Sequence, residues 1–263
     1  EFAYGELPAL RREFIEINAT LGAVAVEKVA ESLSRFGQFG TVKIKVAEKG
    51  QGRDEDVARV LEVSRLWPGA KIRLDANGGL DVAEACRLIE SLKSSEVDLE
   101  YFEQPVATLD QMVELRALLA PLGVRVAADE LVRKAEDPLR VARAGGADIL
   151  VIKAAPLGGI NRALEVSREA GLPVVVSSAL DTSIGISMGL HLAAALESCD
   201  YAAGLGTVAM FEDDVCDEPF IAKDGILEVR RAIPSEAKLE KLKASAERQE
   251  WWTQRLERCY RLI

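Results

Sequence analysis

The feature that most constrains the fold is a polar or small residue that recurs near the end of each of eight short β-rich runs. These residues follow one another at intervals of 24 to 30 positions, with helical segments between the runs. They are Asn18, Lys45, Asp75, Glu103, Asp129, Lys153, Ser177 and Gly204. The interval is close to one strand–helix unit of a parallel barrel of about 250 residues. The pattern therefore predicts a (β/α) barrel with these residues at the carboxyl ends of its strands, where such barrels carry their active sites.

The runs themselves are rich in β-branched and aromatic residues, which is typical of strands. They are FIEINAT, TVKIKVA, KIRLDAN, LEYFEQP, VRVAADE, ILVIKAA, PVVVSSA and YAAGLGT. Strands that alternate with helices predict parallel pairing through right-handed crossovers. An open doubly wound sheet is the alternative fold, but no run leads into a glycine-rich phosphate-binding motif.

We expect three parts along the chain. Residues 1–13 would be a linker or the remnant of another domain, residues 14–222 the barrel, and residues 223–263 a C-terminal segment. The stretch AKDGILEVRRAIP predicts a short hairpin or strand, and residues 235–263 predict a charged helix. The apolar stripe of that helix would consist of Trp251, Trp252, Leu256 and Tyr260. Its polar face mixes both charge signs, which favours packing on the barrel or on another subunit over a membrane or partner helix.

Charge and composition restrict the partners. A formal net charge of −10 and a pI near 4.9 disfavour nucleic acid and anionic membranes, although a small anionic substrate remains compatible. No apolar run approaches the ~18 residues of a membrane span, and no secretory leader opens the sequence, so we expect a cytoplasmic protein.

Four scattered cysteines without a CxxC pair indicate reduced thiols. The only histidine, His191, lies in an apolar helical stretch and is expected in the core or an interface, which leaves acid–base chemistry to lysine or carboxylate.

Asp75, Glu103 and Asp129 end three consecutive strand candidates. A single carboxylate there is often a helix cap, but three neighbouring carboxylates repel one another unless a cation lies between them. Carboxylate oxygens favour Mg²⁺, with Mn²⁺ as an alternative. Such a metal would neutralise a substrate carboxylate as it becomes an enediolate.

Lysines flank this trio on both sides. In TVKIKV, Val42, Ile44 and Val46 share one face, and Lys43 and Lys45 share the other. Taken alone, the strand suits either a sheet edge protected by lysines or a pocket. A closed barrel has no edge, so we expect both lysines at its mouth, opposite Lys153. Lys45 and Lys153 are the candidate acid–base residues, and burial, Lys43 and the metal would each lower the pKa of such a lysine.

Weaker candidates for substrate binding follow the later strands. They are Asn77, Gly158, Gly159, Ser177, Ser178, Gly204 and Gly206. The serines offer hydroxyl groups, and the GLGT stretch offers backbone N–H groups and Thr207. The glycines of PLGG serve either a tight turn or an open space for substrate. A helix that begins after Asp181 and Thr182 would point its N-terminus at an anion, although capping alone explains both residues.

Together these motifs resemble the enolase superfamily. KIK at 43–45, DANGG at 75–79, FEQP at 102–105, ADE at 128–130 and VIKAAPLGG at 151–159 occur in the order of its muconate-lactonizing subgroup. The resemblance covers nearly all of residues 14–263. It is closest to the o-succinylbenzoate synthases of the actinobacterial type, through the further stretches SSALDTS and RQEWW.

The resemblance implies a (β/α)7β barrel that binds Mg²⁺ through Asp75, Glu103 and Asp129. Lys45 would match the acid–base residue of a syn dehydration in menaquinone biosynthesis. Lys153 would match the opposite lysine, which stabilises the enolate or holds the ring by a cation–π contact. Lys43 would support Lys45. The substrate would be a small carboxylate, and a monomer and a homo-oligomer are both compatible.

Two departures accompany the resemblance. The superfamily has an N-terminal α+β capping domain of roughly one hundred residues, whereas about 13 residues precede the first strand candidate here, so we expect that domain to be largely absent from this chain. EFAYGE would be the end of a cap strand. Leu131 stands where the family usually has serine, which puts one hydrogen bond near Asp129 in doubt.

Other functions are compatible with the same residues. N-succinylamino acid racemases and dipeptide epimerases need two opposed lysines and the same metal site, and a fold alone does not fix the substrate. Solvent deuterium exchange without aromatic product would favour them. A non-catalytic scaffold is the third alternative, and a protein that binds no Mg²⁺ would favour it.

Overall fold

A computed structural model describes residues 7–262. Its central element is a parallel sheet of seven strands that follow one another across the sheet in chain order. These strands are β2 Ala19–Leu21, β3 Thr41–Lys45, β4 Lys71–Asp75, β5 Leu99–Glu103, β6 Val126–Ala128, β7 Ile149–Ile152 and β8 Val174–Val176. Each is joined to the next through a helical connection, as expected for parallel neighbours. The predicted strand–helix alternation is confirmed.

The sheet closes into a barrel through the last predicted strand, which is not a regular strand. Within YAAGLGT, Ala203 forms an isolated parallel bridge to Ile17, and Gly204 forms one to Ser177. Glycine is a weak strand former, and a Cβ on Gly204 would lie 2.6 Å from the hydroxyl of Ser177. Close approach of the two segments therefore replaces a full hydrogen-bond ladder at this point, which we call the seam.

The helices form the outer layer. Those of the barrel are α1 Val29–Ser34, α2 Arg53–Leu66, α3 Val82–Ser94, α4 Leu109–Leu119, α5 Glu130–Arg133, α6 Arg140–Arg143, α7 Ile160–Ala170 and α8 Ser183–Ala195. Three short 3₁₀ turns span Val26–Lys28, Ala120–Leu122 and Thr207–Met210. The core lies between helices and strands, and Val42, Ile44 and Val46 belong to it. His191 is buried in α8, beside the carbonyl of Ser187, as predicted for a core residue.

The barrel interior below the strand ends is mainly apolar, with one buried cation. Six residues form the apolar cluster: Tyr101, Ala127, Ile149, Val151, Val175 and Tyr201. Arg73 is fully buried among them. Its guanidinium pairs with Glu100, bonds the carbonyl of Ala202, and lies 4.8 Å from the ring centre of Tyr101.

The predicted hairpin or strand near residue 226 is a strand, β9 Ile226–Glu228, which pairs antiparallel with β1 Phe14–Glu16. The first predicted run is therefore divided. Its beginning, β1, joins β9, and its end, β2, joins the barrel. Residues 7–13 run without regular structure, with Arg11 bonded to the end of α8. The cap-strand prediction for EFAYGE lies outside the described residues.

The predicted C-terminal helix is two helices, α9 Glu236–Lys241 and α10 Ala246–Tyr260. No residue of α10 is buried against the rest of the described chain. Packing of this helix on the barrel or on another subunit stays a prediction. Trp251 and Trp252 instead contact each other, with ring centres 4.9 Å apart. The high charge of this segment explains the outcome, since most of its side chains gain nothing from burial.

Candidate active site

The predicted acid–base and metal-binding residues converge at one end of the barrel. Lys43 and Lys45 lie on β3, Asp75 ends β4 and Glu103 ends β5. Asp129 and Lys153 directly follow β6 and β7. Strand alternation turns Lys43, Lys45 and the carboxylates inward, while Val42 and Ile44 face the helices. Five of the six are buried, with Glu103 and Asp75 at 0% and 1% exposure, and Lys45 is half-buried.

Each carboxylate is bonded to a lysine. Lys43 Nζ donates to Glu103 Oε1 at 2.9 Å and lies 3.3 Å from Asp75 Oδ2. Lys45 Nζ donates to Asp75 Oδ2 at 2.6 Å. On the other side of the pocket, Lys153 Nζ donates to Asp129 Oδ2 at 2.6 Å. The two candidate acid–base lysines therefore enter the site from β3 and from the end of β7.

Burial and mutual charge set the protonation of this site. Burial raises the pKa of Glu103 to about 7, and repulsion from Asp75 adds to the rise against the attraction of Lys43. Burial also opposes the charged form of Asp75, but Lys43 and Lys45 outweigh it and lower its pKa to about 2. For Lys43, burial opposes the ammonium, yet Glu103 and Asp75 hold its pKa above the usual value. Lys43 is thus a fixed positive charge at neutral pH.

The donor set suits a hard divalent cation. Within residues 7–262, no three Asp, Glu, Cys or His side chains are arranged to surround a metal ion, and lysines contact the carboxylate oxygens of the candidate ligands. Nevertheless, Asp75 and Asp129 both raise the pKa of Glu103 by repulsion, which a cation would relieve. Oxygen donors of this kind fit Mg²⁺ or Mn²⁺ better than softer metals.

Four of the weaker candidates line the pocket in front of these residues. They are Asn77, Ser177, Ser178 and Gly204. Ser178 is held by the carbonyl of Gly204 at 2.8 Å and by the hydroxyl of Thr207 at 3.1 Å. The wall is completed by apolar and small groups, including Leu180 and Met210.

Three candidate glycines do not line this pocket. Gly158 and Gly159 have φ values of 91° and 114°, and no atom lies within 4 Å of a Cβ at either position. They therefore serve the turn before α7, which glycine makes without strain. Gly206 packs against Ile17, where a Cβ would lie 3.0 Å from the side chain. A role of these three glycines in substrate binding stays a prediction.

The N-terminus of α8 is also not free for an anion. The backbone N–H of Ser183 donates to Asp214 Oδ1 at 2.9 Å, and Asp214 is buried. Asp181 accepts from the N–H of Ala179 instead, and Thr182 makes no side-chain cap. The acceptor comes from a distant loop, which local sequence patterns do not reveal.

Two residues of the site escaped sequence reasoning. Arg133 lines the pocket and donates to Asp129 Oδ1 at 3.1 Å. It stands four residues after Asp129, a spacing that becomes informative only once α5 is known. Gln104 is buried, and its Oε1 accepts from the backbone N–H groups of Asp129 and Leu131 at 3.1 and 3.2 Å. The effect of Leu131 in place of the usual serine stays a prediction, because a backbone N–H is present with either side chain.

Within residues 7–262 no helix is both long and apolar enough to cross a membrane. A family described as "Enolase C-terminal domain-like" matches residues 24–233. Known proteins of this superfamily depend on a divalent metal.

Curated relatives match the chain over its whole length. The "o-succinylbenzoate synthase" of Mycobacterium bovis (strain BCG / Pasteur 1173P2) is 48% identical over 263 residues, which are all of this chain and 78% of the relative. That of Mycolicibacterium smegmatis is 49% identical over the same 263 residues, 80% of its length.

A solved structure described as a probable mandelate racemase from Alicyclobacillus acidocaldarius has a TM-score of 0.71 and 29% identity. The match covers 91% of this chain and 65% of that structure's chain. This chain therefore spans about four fifths of the curated relatives and slightly less than two thirds of this structural neighbour.

Proposed function

The chain belongs to the enolase C-terminal domain-like family, and on that premise we propose that it converts 2-succinyl-6-hydroxy-2,4-cyclohexadiene-1-carboxylate into o-succinylbenzoate. The reaction is a dehydration in menaquinone biosynthesis, and the protein is a hydro-lyase. The observation that carries this proposal is the pair Lys45 and Lys153 on either side of three buried carboxylates.

Lys45 is the acid–base residue of the proposed reaction. Its neutral amine takes the proton α to the ring carboxylate, which leaves an enediolate and an ammonium group. The same ammonium then protonates the hydroxyl that departs from the neighbouring ring carbon, so water leaves and the ring becomes aromatic. One residue serves both steps because both groups are on the same face of the ring. Acid–base catalysis of this kind contributes about 10²- to 10⁴-fold in rate.

The other two lysines stabilise charge and position the substrate in the proposed mechanism. Lys43, whose pKa is raised by Glu103 and Asp75 against the opposing effect of burial, provides a fixed positive charge beside the reacting carboxylate. Lys153 approaches from the end of β7 and would stabilise the enolate or hold the ring by a cation–π contact. Charges that are already in position before the reaction begins stabilise the developing negative charge most effectively.

The cofactor we propose is Mg²⁺, held by Asp75, Glu103 and Asp129, with Mn²⁺ as a substitute. When bound, it would supply the positive charge that the substrate carboxylate needs as its α proton becomes acidic. For this the lysines must release the carboxylate oxygens that they now contact. The unpaired thiols of the four cysteines support the predicted cytoplasmic location.

Racemisation of an N-succinylamino acid, or epimerisation of a dipeptide, is the second candidate. Two lysines that reach one pocket from different strands are also what a two-base proton transfer at Cα requires. A structural neighbour named as a probable racemase supports this candidate. Deuterium incorporation from solvent into N-succinylamino acids would measure it directly.

The proposal is tested by an ultraviolet assay of o-succinylbenzoate formation. We expect Mg²⁺-dependent turnover by the unmodified protein. Lys45→Ala should reduce kcat by about 10³-fold or more, because it removes both proton transfers. Asp129→Ala should lose activity through the metal site. Lys49→Ala, which removes an exposed lysine from the loop that follows β3, is the matched control.

Each outcome has a clear meaning. Turnover by Lys45→Ala at the rate of the control would refute the mechanism. Deuterium exchange without aromatic product would favour the racemase, and no Mg²⁺ binding would favour a scaffold.

A further inference from the structure

We propose that Asn77, Glu130 and Arg133 form a hydrogen-bonded network that positions Lys45 for proton transfer. Asn77 was expected to contact the substrate, and Glu130 and Arg133 had no expected role. The inference rests on the proposed function, because Lys45 is the group that the network would hold.

The network begins at the Lys45 amine. Lys45 Nζ donates to Asn77 Oδ1 at 2.5 Å, in addition to its bond with Asp75. Asn77 Nδ2 in turn donates to Glu130 Oε1 at 3.2 Å. Both ends of the Asn77 amide are therefore used, and the Glu130 bond fixes which end faces the lysine.

The network continues from Glu130 to the opposite lysine. Arg133 donates through its terminal nitrogen to Glu130 Oε1 and through Nε to Asp129 Oδ1 at 3.1 Å. Asp129 accepts from Lys153 on its other oxygen at 2.6 Å. An unbroken series of hydrogen bonds thus runs along the pocket wall from Lys45 to Lys153.

The backbone conformation of Asn77 favours the contact between its side chain and Lys45. Its φ is 45°, in the left-handed region that asparagine tolerates better than most residues. Its N–H donates to Asp75 Oδ1 at 3.1 Å, so the turn is anchored to the same carboxylate that contacts Lys45. The side chain is thereby held beside the lysine.

Glu130 carries a buried carboxylate oxygen that does not help to stabilise the fold. Its Oε2 is buried without a hydrogen-bond partner among residues 7–262. Such an atom is unfavourable for folding and calls for a functional reason. Glu130 does not line the pocket; it reaches Lys45 through Asn77 on one side and Asp129 through Arg133 on the other.

Chemistry also explains why the acceptor for Lys45 is an amide. Asp75 is a candidate metal ligand, so its oxygens have another role. The Asn77 oxygen has no such role and carries no full charge. It therefore remains available to orient the Lys45 amine when Asp75 holds a metal ion.

The test compares kcat with KM in the ultraviolet assay. Asn77→Gly removes the side chain and keeps the left-handed turn, and Glu130→Ala breaks the network outside the pocket. Glu130→Gln keeps the acceptor oxygen. Asn161→Ala, at an exposed asparagine of α7, is the control.

We expect Asn77→Gly and Glu130→Ala to lower kcat by about 10- to 100-fold, since a displacement of 1 Å costs about 10²-fold. Because the network holds the lysine rather than the substrate, KM and the Kd for o-succinylbenzoate should stay within about threefold. Glu130→Gln should retain most of the activity. A raised KM with unchanged kcat, or full activity of Glu130→Ala, would overturn the proposal.

A second measurement does not depend on turnover. In a crystal structure of Glu130→Ala, the Lys45 amine should have left the position that it occupies in the unmodified protein. An unmoved Lys45 would overturn the network whether or not the protein forms o-succinylbenzoate. Absence of product from the unmodified protein would instead refute the proposed function alone.

Discussion

The interior of the barrel buries charge at two levels along its axis. At the lower level, Arg73 is fully enclosed, paired with Glu100 and packed against the rings of Tyr101 and Tyr201. At the upper level, three lysines face a pocket together with Asp75 and Asp129, and Glu103 is buried in contact with Lys43. The lower cation is an arginine, which remains protonated in proteins. The upper cations are lysines, whose protonation responds to their surroundings.

The difference shows that buried charge does not by itself identify a functional site. The lower level uses a permanent charge and closes around it, which is what a structural role requires. The upper level combines titratable groups with access from solvent, which is what proton transfer requires. The residue types and the opening, more than the burial, distinguish the two levels.

The largest expected effect on stability lies at the lower level. Arg73→Met should reduce the free energy of unfolding by about 3–5 kcal/mol, because it leaves the buried carboxylate of Glu100 with only the exposed Lys71, at 3.4 Å, as a cationic partner. Lys45→Ala should cost far less, since Asp75 keeps Lys43. Urea denaturation followed by circular dichroism measures both. Arg35→Met, at an exposed arginine, is the control. Equal losses at both levels would contradict the comparison.

A smaller effect on the free energy of unfolding should come from Mg²⁺ binding, which should depend on the upper level and not on the lower one. Mg²⁺ at about 100 times its Kd should raise the free energy of unfolding by about 2.7 kcal/mol, because only the folded carboxylates are assembled to bind it. Thermal unfolding with and without Mg²⁺ gives the shift. Asp129→Ala should lose the shift, whereas a conservative change at the lower level, Tyr201→Phe, should keep it. A shift that persists in Asp129→Ala would place the metal elsewhere.

The smallest expected signal is a release of protons. The pKa of Glu103 is raised to about 7 by burial and by Asp75, so about half of these carboxyl groups are protonated at pH 7. A cation favours the ionised form, so Mg²⁺ binding at pH 7 should release about half a proton, and less as the pH rises. Calorimetry in buffers of different ionisation enthalpy measures this number. Proton uptake, or a release that grows with pH, would be the contrary result.

Much of this arrangement could be predicted from the chain. The recurrence of polar residues at strand ends locates Asp75, Glu103, Asp129 and the lysines, because parallel strands bring their carboxyl ends to the same edge. Alternation within TVKIKV fixes which side chains face inward. These are regularities of period and register, which a single sequence displays directly.

The remainder depends on contacts between distant segments. Asp214 occupies the N-terminus of α8, and Gln104 reaches the backbone beyond Asp129. Neither bond has a local signature. The apolar spacing of α10 predicted burial, yet its residues are exposed, since spacing defines a face without defining what covers it. The roles of the lysines and carboxylates remain predictions for the experiments above.

The seam has a consequence for how the chain reaches its native state. Four backbone hydrogen bonds hold residues 203–204 in place: Ala203 bonds to Glu16 and Asn18, and Gly204 bonds to Val176 and Ser178. The first and last strand segments of the barrel are far apart in sequence, so pairing them carries the largest loop-closure entropy of any pairing in the sheet. The four hydrogen bonds offset only a small part of that entropy. We therefore expect closure of the ring to be a late event in folding, and the pocket to form only when the ring is complete.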